Sequence, residues 1–191
     1  MRDSSMWVNA NINAIQFNEV DFATDKLMAW ILQGSLNNLV VDSDHTKDTW
    51  KVLEDNYPTA AIRNLKARVE TNGNLFQFDR FDYDPQSTSG IVNQFEFRPL
   101  KDKQQFLNDS YYQTNYMDTR IESITFNTFN VKRFLKDTVI QLANVHVKSP
   151  SLEIGRDKTK IFFATALKLL PTNAFQKLKV GFKIDTLKVS D

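Results

Sequence analysis

Residues 67–84 read ARVETNGNLFQFDRFDYD, two runs of alternating apolar and polar residues that meet at Asn72-Gly73. A two-residue type I′ turn needs positive φ at both central positions, and Asn followed by Gly meets that need at little steric cost. The pattern therefore predicts a hairpin in which Thr71 faces Asn74, Glu70 faces Leu75, Val69 faces Phe76, Arg68 faces Gln77, Ala67 faces Phe78 and Lys66 faces Asp79. One side carries Val69, Phe76, Ala67 and Phe78, and the other sets Lys66 against Asp79. A slip of one residue destroys both properties, so the register is specified.

The same two-residue period recurs elsewhere. Trp7 to Phe17 (WVNANINAIQF) alternates apolar residues with Asn, as an edge strand or an extended arm would. Ile91 to Phe97 alternates with Ile91, Phe95 and Phe97 on one face, and Pro99 ends it. The last third reads as successive strands: Arg120 to Phe129, Thr138 to Val147, Leu152 to Ile154, Lys160 to Leu170 and Phe175 to Ile184. In the last of these, Leu178, Val180, Phe182 and Ile184 are expected inside, with Lys177, Lys179 and Lys183 between them. Leu187 and Val189 fall in the opposite phase, which predicts a bulge or an end that leaves the sheet.

Helical spacing is confined to the first sixty residues. Thr24 can cap a stripe of Leu27, Met28, Trp30, Ile31 and Leu32 that stops at Gly34. Ser43, Asp44 and Thr46 can cap a second stretch that places Trp50 and Leu53 together and ends before Pro58. Residues 59–66 fit either state. Residues 101–119 have no clean period and contain three tyrosines, so a long excursion, or a short helix plus loop, is expected there as a contact region. The expected fold is α+β, mainly antiparallel β, sandwich or barrel-like, with one or two short N-terminal helices. Its division is an arm or edge strand over residues 1–20 and a single β-rich domain over 21–191, with the excursion at about 100–119.

Composition narrows the chemistry. Hydrophobic residues make up 41% and charged residues 25% of 191, the range of a folding globular chain. The absence of cysteine excludes disulfides, thiolate nucleophiles and Cys-ligated metals. Only five glycines are present, and Asn fills some of the turn positions Gly usually takes. The N-terminal residues lack the apolar core of a secretion signal, and no apolar run approaches the roughly 18 residues of a membrane span. A soluble protein of the cytoplasm or of a virion is expected.

No motif assigns a reaction. The stretch Asp42 to Asp48 resembles the front of a calcium loop, but Lys47 stands where that loop needs Gly and Leu53 where it needs Glu, so helix capping explains the acids better. Asp79, Asp82 and Asp84 lack the turn glycine and bidentate acid of such a site. His45 and His146 are the only histidines and stand in no metal-ligand spacing. Phosphate-binding glycine loops and the GxSxG elbow are absent. The expectation is a non-enzyme with no cofactor, metal or catalytic residue.

Charge is distributed unevenly. Residues 132–191 hold 12 Lys and Arg against 5 Asp and Glu, a net of +7, whereas residues 1–131 hold 12 against 18, a net of −6; the total is the chain's +1. Opposite ends of this kind suit contact with another copy or with an acidic partner. Tyr111, Tyr112, Tyr116 and Met117 have interface composition. With Trp7, Ile12 and Phe17 of the first strand and the lysines Lys177, Lys179 and Lys183, they are the candidate interface residues. The expected function is a structural subunit of a multi-protein assembly, such as a phage tail, neck, baseplate or capsid-associated protein, whose partners are its own copies or other assembly proteins. A single-stranded nucleic-acid-binding module and a small β-rich hydrolase are the alternatives.

Overall fold

The computed structural model describes residues 9–24, 27–42, 51–52, 56, 58–162 and 181–191. Their elements in chain order are β1 (Asn9–Thr24), β2 (Leu27–Asp42), β3 (Ala61–Thr71), β4 (Asn74–Asp84), β5 (Ser89–Pro99), α1 (Lys103–Asp109), β6 (Asn115–Asn127), α2 (Val131–Asp137), β7 (Val139–Arg156) and β8 (Gly181–Ser190). Among the described residues the structure is mostly β, with α1 and α2 both short. The strands form one sheet in sequence order, β1 and β8 at its ends. All neighbours are antiparallel except β7 and β8, which run parallel.

The central hairpin has the register its sequence dictates, from Thr71 opposite Asn74 to Ala67 opposite Phe78. Asn72 and Gly73 have φ of 50° and 75°, as a type I′ turn requires. Lys66 Nζ lies 2.9 Å from Asp79 Oδ1.

Beyond the hairpin, a transverse crease crosses the sheet. Glu19 in β1, Asn64 in β3, Gln94 in β5 and Ser149 in β7 all have left-handed φ near 50°. The pairings place them in one band, since Gln94 falls opposite Glu122 and Glu122 opposite Ser149 when the flanking pairs are continued. At this band each of β1 to β7 makes a three-residue step instead of two. The steps are Phe17 to Val20, Ile31 to Gly34, Ile62 to Leu65, Phe78 to Phe81, Val92 to Phe95, Ile121 to Ile124 and Val147 to Pro150. Strict alternation would put Phe78 and Phe81 on opposite faces, yet their rings meet edge-on at 6.2 Å. The crease thus keeps these residues on one continuous apolar face.

Several sequence expectations change. Leu27 to Leu32 is not a helix but the start of β2. Its apolar run serves both faces: Ile31 stands opposite Ala67 on the apolar side, while Trp30 lies under the Arg68 guanidinium at 5.6 Å on the other. Lys51, Val52 and Asn56 are helical, within the second expected helix; the rest of that stretch is outside the described residues. Ile91 does not share a face with Phe95 and Phe97, because Gln94 inverts the alternation between them. Phe182 and Ile184 are exposed rather than inside, Leu178 and Val180 being outside the described residues. The expected break after Ile184 is absent too: β8 pairs with β7 without a shift from Gly181 to Ser190. Leu152 to Ile154 is the continuation of β7 through Pro150, not a separate strand.

Both helices carry a sequence signal. Asp102 caps α1, its Oδ1 accepting from Gln105 N at 2.8 Å, within the stretch expected as helix plus loop. Asn130 caps α2 through Arg133 N at 2.9 Å, and Thr138, with φ 55°, closes it. Nothing in the alternating pattern around Val131–Asp137 predicted α2. Asn130 followed by Val131, Phe134 and Leu135 is the signature that marks it.

Candidate functional site

The two faces of the sheet differ in chemistry. On the first, cross-strand rows bring polar residues together: Asp82, Ile91, Thr125, His146 and Lys188 stand side by side on β4 to β8. The next row sets Asp84 against Ser89, and Asn127 against Asn144 and Thr186. Those on β4 to β7, with Arg63, line an open groove of about 470 Å³.

Its best-ordered corner is the ion pair of Arg63 and Asp84. The guanidinium donates to Tyr83 O at 2.9 Å and to Asp84 Oδ2 at 3.0 Å. Asp84 Oδ1 accepts from Gln86 N at 2.9 Å, which orders the turn between β4 and β5. The Gln86 amide and then Arg63 hold the Asp84 carboxyl below the usual carboxylate range. Burial, and then the neighbouring Asp84 charge, push the Tyr83 phenol up.

At the other end of the groove His146 Nε2 lies 2.8 Å from Ser190 Oγ. A histidine acting as base on a serine is oriented by an acid on its other nitrogen. In the sheet, His146 has Thr125 on one side and Lys188 on the other, so the register sets no carboxylate directly beside it. As placed, the pair is a hydrogen bond between strands. Among the described residues no group of three His, Asp or Glu is arranged to hold a metal ion.

Past the crease the same face is ionic and partly covered. Arg98 Nε lies 3.0 Å from Glu96 Oε1, and Arg120 spans Glu96 at 3.7 Å and Asp118 at 3.1 Å. Helix α1 packs here through Phe106, whose ring meets Tyr116 edge-on at 5.7 Å.

The second face is largely apolar; the exceptions are Thr119, between Phe97 and Leu152, and the Lys183–Asp185 pair at the start of β8. Val69, Phe76, Phe97 and Leu152 lie on one side of the crease, and Phe81, Val92, Phe126, Val147 and Val189 on the other. Phe76 and Phe97 are 4.6 Å apart between ring centres, and Phe81 stacks on Phe126 at 6.5 Å. Phe126 lies over Gly90, where a Cβ would meet its Cζ at 2.4 Å. Only at one end do the rings of Phe129 and Phe134 contribute, through contacts of Phe129 with Tyr83 and Phe126. Phe76 remains 38% exposed, Leu152 58% and Val189 57%. The most buried side chain, Leu75 at 1%, lies on the opposite face beside Glu70.

The candidate interface residues separate into groups. Ile12 and Phe17 sit half-buried on β1, paired with Leu39 and Gly34. Tyr111 is 71% exposed with its ring edge-on to Tyr112 at 4.9 Å, and Met117, also exposed, pairs with Ile154. Tyr116 is buried against Phe106 within the chain itself. Lys183 is on β8, at the far edge from β1, 3.8 Å from Asp185. Trp7, Lys177 and Lys179 lie outside the described residues. By default the hairpin and strand phenylalanines would be core. Their shared exposed face was hidden by the crease, because the three-residue steps break the period that would have revealed it.

No helix among the described residues is long and apolar enough to cross a membrane. Compared with protein-family models, with curated proteins and with solved structures, the chain matches none.

Proposed function

We propose that this chain is a non-catalytic structural subunit of a multi-protein assembly, a virion being one such setting, held by contacts with copies of itself or with other assembly proteins. One observation carries the reading: the sheet presents a largely apolar face, running from β1 to β7 and onto Leu187 and Val189 of β8, that no described residue covers beyond the Phe129 end. Exposed contiguous apolar surface of more than a few hundred Å² is the mark of an interaction site. Strands β1 and β8 end the sheet among the described residues, and a strand at the edge of a sheet is a template for further pairing. Opposite net charge in the two parts of the sequence adds steering between subunits.

The test is the mass of the purified protein by light scattering, across concentration, at low and high salt, with and without single-stranded DNA. A mass above that of one chain, growing with concentration and indifferent to DNA, is the expected result. A monomer that shifts only when DNA is added would replace this reading with nucleic-acid binding. A monomer that carries an apolar small molecule in native mass spectrometry would make the face a ligand site instead.

A further inference from the structure

The apolar face is large enough to define its partner. Eight strands about 4.8 Å apart, with about 3.4 Å per residue over ten-residue ladders, make a face on the order of 1,200 Å². A stable interface takes roughly 800 Å² from each partner. Four non-glycine residues hold left-handed φ in the crease, a conformation most L-residues seldom adopt. The crease keeps one side of seven strands largely apolar, with the ion pairs of Arg98, Glu96, Arg120 and Asp118 on the other side.

We infer that the apolar face packs against the same face of a second copy, giving a closed two-layer dimer. This rests on the assembly reading and names the surface that builds it. Two such faces meet about 10 Å apart with strands roughly 30° off alignment. Contact between identical patches is isologous and closes at two chains. Phe76 with Phe97, and Phe78 with Phe81, form the centre of the contact, where aromatic anchors carry most of the binding energy. The ion pairs of Arg98, Glu96, Arg120 and Asp118 remain on the outer surfaces, Lys183 and Asp185 fall at the rim of the contact on the end strand β8, and a net charge of +1 per chain gives little repulsion. The sandwich expected from the sequence then forms between two copies.

The cysteine-free sequence makes the test direct. Single cysteines at Leu152→Cys and Val189→Cys report on the apolar face, and Asn144→Cys reports on the polar one. The expected result is a dimer whose mass is unchanged between low and high salt. In it the two apolar-face thiols react with a maleimide at least about tenfold more slowly than after dilution to monomer, while Asn144→Cys is unaffected. The double variant Leu152→Lys, Val189→Lys changes positions more than half exposed in the single chain, so it keeps its circular dichroism spectrum and becomes monomeric. A dimer that survives this variant with all three thiols reactive pairs through its edges, which overturns the inference and leaves the assembly reading standing. A monomer with protected apolar-face thiols assigns the cover to the chain itself or to a bound small molecule, and overturns the inference. A monomer with reactive thiols removes both readings.

Discussion

The side-chain amide of Asn56 pairs with the main chain of Val40 as a neighbouring strand residue would. Its Oδ1 accepts from Val40 N at 2.6 Å and its Nδ2 donates to Val40 O at 2.9 Å. Strand β3 begins only at Ala61, opposite Asn37, so the end of β2 runs past it. Asn56 takes over there and also donates to Val52 O at 2.8 Å. A buried amide that meets both groups of one residue fixes the helical residues around it to the sheet.

Asn56→Asp keeps the shape and loses both Nδ2 donations. Leaving buried acceptors unpaired costs about 1–3 kcal/mol, so the unfolding free energy should fall by that amount and the denaturant midpoint with it. An unchanged midpoint would mean that β2 ends without help from Asn56.

Gly90→Ala is expected to destabilise by about 1–3 kcal/mol through overpacking. The new methyl would lie 2.4 Å from Phe126 Cζ and 2.7 Å from Asp82 O. Pairing it with Phe126→Leu should recover part of the loss, the aromatic contact alone being able to move. Gly73→Ala is the control: it meets nothing within 4 Å, but at φ +75° it should cost about 1 kcal/mol from the backbone alone.

Acid sensitivity should involve Asp84. The folded state lowers its pKa, chiefly through the Gln86 amide and then through Arg63. The corresponding stability is present above the unfolded value, near pH 3.9, and is lost as the pH falls through the lower folded value. Urea unfolding followed below pH 5 should show this loss, and Asp84→Asn should flatten the profile while destabilising the protein at neutral pH. A profile identical to that of the unmodified chain would exclude Asp84 as a contributor.

Lys160 clamps the end of α1, its Nζ donating to Asn108 O at 2.8 Å, to Ser110 O at 2.5 Å and to Leu107 O. An ammonium at a helix C-terminus satisfies orphan carbonyls and opposes the helix dipole. Lys160→Met should therefore speed amide exchange in residues 103–110 severalfold and leave the β3–β4 hairpin unchanged. Equal protection in both proteins would show that the Phe106–Tyr116 contact and the Lys103–Glu153 ion pair hold α1 without Lys160.

How much of this was legible in the sequence follows the range of each signal. The turn end of the β3–β4 hairpin is local, and its pairing from Thr71–Asn74 to Ala67–Phe78 was readable one residue at a time. Strand existence was readable in β6 and the first half of β7 for the same reason, whereas most of Lys160–Leu170 and of Phe175–Ile184 lies outside the described residues. Leu27 to Leu32 was not, because a run apolar at every position fits a helix stripe as well as a strand with both faces in contact. The face shared by Phe78, Phe81, Val92 and Phe126 required the crease, whose left-handed residues Glu19, Gln94 and Ser149 carry no side-chain signature of that conformation. Asn64, the one asparagine among them, is of a residue type that adopts it readily. The His146–Ser190 contact joins residues 44 positions apart through a parallel pairing that no local pattern announces.

The crease also bears on how this protein tolerates insertions and deletions. A single residue lost between Phe78 and Phe81, or between Val92 and Phe95, would let plain alternation keep those side chains on the apolar face but would put one half of the strand a residue out of register with its creased neighbours. Length changes in the middle of β1 to β7 are thus coupled across the sheet: a frame-preserving deletion in one strand would be accepted only with matching deletions in the strands beside it, whereas the turn at residues 85–88 can lengthen alone.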